Sequence, residues 1–195
     1  MSRLASFVLV AVVACAGTAK PQEKPEAQQI AEAVAPLPGP LQGGATVYGY
    51  RGGELVTLRE GSNMMICLAD HPGDDNWHVA CYHESLEPFM AMGRRLRTEG
   101  ITDRSAIDAA REEAIESGEL EFPIAPAALY SLTGPPDSFD PTTGAVSGAS
   151  ALYVVYVPYA TEESTGISTD PSRGRPWLMF PGKPWAHVMI SGGGR

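Results

Sequence analysis

The chain has 195 residues, 44% of them hydrophobic, and its 14 Lys and Arg face 23 Asp and Glu for a net charge of -9. An acidic chain whose only basic group is Arg94, Arg95 and Arg97 offers no surface for neutralising phosphates, so nucleic acid is excluded as an expected partner. About 150 residues remain beyond the leader and linker described next, enough for one core without covalent staples.

Residues 4–14 form an apolar run broken only by Ser6, preceded by Arg3 and followed by small residues. This is the pattern of a secretory signal, too short for a bilayer that needs about 20 apolar residues. Val12, Val13, Ala14 and Cys15 resemble the lipobox of bacterial lipoprotein precursors, with an aliphatic residue at minus three, a small or aliphatic one at minus two, Ala at minus one and Cys at plus one. The resemblance covers residues 1–15 only. It implies a signal peptide of residues 1–14, a lipid on Cys15, and a place on the periplasmic or extracellular side of a bacterial membrane that the protein touches only through its anchor. A second cut competes. Cleavage after Ala19, with Gly17 at minus three, yields a soluble secreted protein in which Cys15 leaves with the signal.

Residues 15–44 are rich in Ala, Pro, Gln and Glu, with prolines at 21, 25, 36, 38 and 40. That composition reads as a flexible linker with at most a transient helix over 26–35. Stretched at about 3.1 Å per residue, residues 16–44 would hold a domain roughly 90 Å from a membrane. A single folded domain is expected over 45–195.

Within it, residues 45–50 and 54–59 are β-branched or aromatic runs around Arg51, Gly52 and Gly53, a hairpin signature. Residues 63–69 and 77–83 form a second strand pair. The period then changes: Leu86, Phe89, Met90, Gly93 and Leu96 fall on one helical stripe after a Ser85 cap, and a helix from about Asp103 turns Ile107, Ala110 and Ala114 inward. Strand character returns at 127–132, 152–159, 177–180 and 186–190, with long loops over 133–150 and 161–176. Strands flanking a helix pair define an α+β class, a mostly antiparallel sheet with an inserted two-helix hairpin.

Candidate chemistry concentrates in the second strand pair. If its turn centres on Asp74, facing residues sum to 148, so Cys67 meets Cys81, Met65 meets His83, and Asp70 meets His78. Alternation then puts Met65, Cys67, Cys81 and His83 on one face and Asp70 with His78 on the other. In an exported protein the two cysteines are read as a structural disulfide, pinning the register. The alternative is a soft-metal site for copper or zinc built from Met65, Cys67, Cys81 and His83, which His187 and Met189 join or replace, although no paired CxxC spacing is present. Without that site no cofactor is expected.

Asp70 beside His78 would let a carboxylate orient an imidazole, the weak catalytic candidate of a small periplasmic hydrolase. No GxSxG, HExxH, P-loop or dinucleotide motif supports one. Trp77, Trp177 and Trp185, near strand ends or turns, are candidates for a binding surface. The reading that absorbs most of these features is an exported, lipid-anchored envelope protein that binds an envelope protein or a small ligand.

Overall fold

Gly52 and Gly53 both hold positive φ, at 67° and 88°, the two-residue turn that matches the twist of a tight hairpin. They join β1 (Thr46–Arg51) to β2 (Glu54–Arg59), with Arg51 opposite Glu54. The computed structural model describes residues 23–171 and 174–194. The signal peptide, Cys15 and the competing cut after Ala19 lie outside them.

β3 (Met65–Leu68) pairs parallel with β1 and antiparallel with β4 (Trp77–His83), in the register that places Met65 opposite His83 and Cys67 opposite Cys81. Cys67 and Cys81 form a disulfide across a separation of 14 residues. Closing a loop of about 15 residues stabilises the fold by about 3 kcal/mol in the chain-entropy account. α3 (Glu87–Thr98) and α4 (Arg104–Glu116) follow, the first entered through a short 3-10 turn capped by His83 rather than Ser85, the second capped by Asp103.

β5 (Ala127–Gly134), β6 (Ser150–Tyr156), β7 (Trp177–Met179) and β8 (His187–Gly194) complete an eight-stranded sheet in the order β2-β1-β3-β4-β5-β6-β8-β7. Every pairing but β1 with β3 is antiparallel. The protein is therefore α+β, with the two-helix hairpin inserted between strands.

Alternation along the strands sorts the core into two layers. Ile66, Tyr82, Val154 and Tyr156 face α3 and α4, packing with Leu86, Phe89 and Trp185. Val47, Met65, Cys67 and Cys81 face the other way, onto Ala33, Val34 and Leu37. Those last three residues correct the expected linker. α1 (Glu26–Ala33) and the single turn α2 (Gly39–Gln42) belong to the domain, with Gln29, Glu32 and Ala33 buried.

The physical reason is that polar side chains supply the cohesion that the composition lacked. Gln29 completes the edge of β1, accepting from the Tyr50 N–H at 2.7 Å and donating to the Tyr50 carbonyl at 3.0 Å. Pro25 and Pro38, read as linker residues, are the N-caps of the two helices. No described helix is long and apolar enough to cross a membrane.

Candidate functional site

A groove of about 430 Å³ opens between the helical hairpin and the sheet. The strands supply His78, Leu129, Tyr156 and His187, and the helices supply Phe89, Arg94 and Arg111. Arg111 is the unusual member: it lies on the inward stripe of α4 with Ile107 and Ala114, and the residue is only 8% exposed. Its Nε donates to the Phe89 carbonyl at 3.1 Å, and its guanidinium carbon sits 3.9 Å from the Phe89 ring centroid. Asp108 lies 3.6 Å from Nη1, close enough for attraction but beyond a hydrogen bond. Burial pulls the Arg111 pKa down, while Asp108 opposes that shift. Gly93 makes the position possible. A Cβ there would collide with Nη2 of Arg111, so α3 carries a helix-weakening glycine where the guanidinium enters.

Three more arginines line the groove, and they are not equally compensated. Arg94 pairs with Glu87 at 2.5 Å and donates to the Tyr82 hydroxyl at 2.9 Å. Arg97 donates to the Gly93 carbonyl at 3.0 Å, and Arg104 shares Asp108 with Arg111 at 3.9 Å. Four guanidiniums thus meet two carboxylates, Glu87 and Asp108, in a chain that is acidic overall.

The aromatic wall adds a second anomaly. Trp185 is 3% exposed, yet its indole N–H has no acceptor among the described residues. A buried donor without an acceptor costs about 1–3 kcal/mol. Beside it Phe180 holds φ at 51°, a left-handed conformation costly for a bulky residue, with its ring 6.1 Å from Trp185 and 5.7 Å from His187. Burial pushes the Tyr156 phenol up to about 12, with Arg111 and Arg104 opposing, so the hydroxyl stays protonated near neutrality. Burial likewise lowers the His187 pKa, and its Nδ1–H donates to the Trp185 carbonyl at 2.8 Å.

The opposite face buries charge in a closed arrangement. Glu32, 1% exposed, accepts from Lys24 at 2.6 Å, Gln28 at 2.7 Å and the Trp77 indole at 3.0 Å. Lys24 also reaches Asp70 at 3.0 Å, and Glu23 accepts from the Gly52 and Gly53 N–H groups at the hairpin turn. Burial pulls the Lys24 pKa down, but Glu32 and Asp70 together hold it above its ordinary value. A pocket of about 170 Å³ beside this clasp is lined by Tyr50, His71 and Asp74.

The expected catalytic pair does not assemble. The β3–β4 ladder ends at Leu68 opposite Ala80, and Asp70 accepts from the backbone N–H of His78 at 2.8 Å rather than from its ring. The His78 imidazole turns to the Thr133 hydroxyl at 2.7 Å, because Thr133 is its partner on β5. The soft-metal set is divided too. Cys67 and Cys81 are bonded to each other, and His83 is held by Ser85 at 2.8 Å. His187 and Met189 pair with Tyr156 and Val154 on the helical-hairpin side, away from Met65. Among the described residues no three His, Cys, Asp or Glu side chains gather as a metal site.

The three tryptophans do not share a surface. Trp77 is fully buried on the α1 side beside Phe139, Trp177 sits on the edge strand opposite Met189, and Trp185 belongs to the groove. Alternation puts Trp77 on the α1 face and both Trp177 and Trp185 on the helical-hairpin face, where strand order leaves Trp177 out on the edge strand while Trp185 is buried in the groove wall.

Arg111, Arg94 and Phe89 were not singled out from the sequence as functional. The signal was present in the spacing of Ile107, Arg111 and Ala114, which puts an arginine on the stripe expected to be apolar, and in the glycine at position 93 on the facing stripe. Comparison with known proteins adds nothing to this geometry: no family model, curated protein or solved structure matches the chain.

Proposed function

We propose that the protein is exported, held at a bacterial membrane by a lipid on Cys15, and acts by binding a small ligand in the groove between the helical hairpin and the sheet. The lipobox-like residues 12–15 support the anchor, and the Cys67–Cys81 disulfide supports an oxidising compartment. The observation that carries the binding reading is the groove itself, about 430 Å³ walled by aromatic rings and under-compensated guanidiniums, within the size range of small-molecule sites.

The contacts at Glu23 shorten the tether. Cys15 and Glu23 are eight residues apart, so the anchor lies within about 29 Å of the domain's first contact at full extension. Membrane fractionation tests the anchor: the wild-type protein sediments with membranes and Cys15→Ala does not. A wild-type product that is soluble and begins at Lys20 would remove the anchor. Native mass spectrometry of protein taken from the envelope tests the groove, with a one-to-one small-molecule adduct expected that Phe180→Ala depletes. A spectrum without any adduct at native stoichiometry would count against a resident ligand.

A further inference from the structure

We infer that the ligand of this groove is an aryl oxyanion, a carboxylate or phosphate on a flat aromatic body, its charge held near Arg111 and Arg104 and its ring against Phe180 and Trp185. The inference rests on the groove being the binding site proposed above and names the chemistry that fits it.

Three independent observations converge. The first is charge. Of the four guanidiniums lining the groove, Arg94 is neutralised by Glu87, while Asp108 is divided between Arg104 at 3.9 Å and Arg111 at 3.6 Å. A guanidinium offers five donors in a planar fork suited to two oxygens of one anion. Arg111 commits Nε to a backbone carbonyl and faces Asp108 only at long range. The second is the Trp185 indole, whose buried N–H lacks an acceptor among the described residues in a residue only 3% exposed, on the wall of the same groove. Acceptor oxygens, not a cation or an apolar group, satisfy both.

The third is shape. Phe89, Phe180, Trp185 and His187 form a continuous aromatic contact, with Phe89 and Trp185 6.0 Å apart and Phe180 and Trp185 6.1 Å apart. Ring-on-ring contact favours a flat ligand body. The left-handed backbone of Phe180 and the Gly93 gap in α3 are local costs to the fold that shape this one place.

Calorimetric titration of the full chain, with its disulfide intact, tests the inference with four probes: 2-naphthoate, 2-naphthyl phosphate, neutral 2-naphthamide and inorganic phosphate. The expected result is one-to-one binding of at least one naphthyl anion, about tenfold or more tighter than naphthamide or inorganic phosphate, the size of one good charge-assisted hydrogen bond. Whichever naphthyl anion binds better tells carboxylate from phosphate.

Arg111→Gln risks the fold, so Arg104→Gln on the exposed rim and Trp185→Phe serve as the variants, each expected to weaken the anion about three- to tenfold and naphthamide little. Gly93→Ala, which displaces the Arg111 guanidinium without removing it, should weaken the anion most. Equal affinity for naphthoate and naphthamide, both reduced by Phe180→Ala, overturns the anion assignment and leaves the groove a binding site. Failure of all four probes to bind folded protein overturns both readings.

Discussion

Glu32 and Arg111 are both charged, both buried and both carried on a helix that packs against the sheet, yet their surroundings differ. Glu32 accepts from three donors, and one of them, Lys24, brings a compensating charge. Arg111 has one backbone acceptor, one aromatic face and a carboxylate held at 3.6 Å and shared. A buried charge with every partner in place fastens chain segments together, and here Glu32 fastens α1 to Trp77 directly and to Asp70 through Lys24. A buried charge with donors to spare can still recognise something. The difference separates clasp from site on two faces of one sheet.

The largest effect should come from opening the clasp. Glu32→Ala leaves Lys24 half-paired and the Trp77 indole without an acceptor, and breaking a buried pair costs about 3 kcal/mol at the lower end, suitable because Lys24 keeps Asp70. For a domain of this size that lowers Tm by roughly 6–12 °C. A fall of less than about 2 °C would show that the clasp does not hold the N-terminal segment. Next in size is the disulfide, which lies under α1 on the clasp side. Cys67→Ala with Cys81→Ala should cost about 2–3 kcal/mol in urea unfolding and should leave probe binding in the groove unchanged, since neither cysteine lines it.

A sharper contrast uses the same substitution on both faces. Trp77→Phe removes a donor from buried Glu32 and should cost about 1–3 kcal/mol. Trp185→Phe removes a donor with no acceptor and should cost less than about 1 kcal/mol, or stabilise. Equal losses in thermal unfolding would mean that the Trp185 N–H is satisfied and that the groove loses one of its two anomalies.

How much of this was legible beforehand depended on which force placed each residue. Backbone pairing was readable: turn arithmetic centred on Asp74 put Cys67 on Cys81 and Met65 on His83, since a period of two leaves no freedom once the turn is fixed. The same arithmetic put Asp70 opposite His78 and gave the wrong contact, because the ladder stops at Leu68 and a loop residue is free to bond backbone instead. The insertion of β8 between β6 and β7 is non-local and leaves no trace in local pattern.

The docking of the N-terminal helix, expected only as a transient helix of the linker, was missed for a different reason. Composition measures apolar burial, and Gln29 and Glu32 are buried by hydrogen bonds. The groove was missed by the converse habit, in which a helical stripe is assumed apolar and an arginine on it is passed over.

The smallest expected effect is the share of a pH slope that His187 contributes; burial lowers the His78 pKa as well, so both imidazoles act in the same window and the His187→Gln variant isolates the part due to His187. Burial lowers its folded pKa, Arg104 lowers it further, and the Trp185 carbonyl and Asp108 oppose them. The unfolded chain therefore takes up a proton below about pH 6.5 where the folded chain does not. Stability must fall as pH drops through that region, and the loss ends once the folded imidazole also protonates. The lowered carboxyls of Asp103 and Asp140, held by Ser105 and Ala106 and by Thr143 and Thr142, act at lower pH and lie outside this window. Urea midpoints between pH 7 and 5 should decline more steeply for the wild type than for His187→Gln. Saturating 2-naphthoate should flatten the wild-type slope, because an oxyanion in the groove favours the charged imidazole. A slope that the ligand leaves unchanged would place the bound charge away from His187 and from the Arg104 side of the groove.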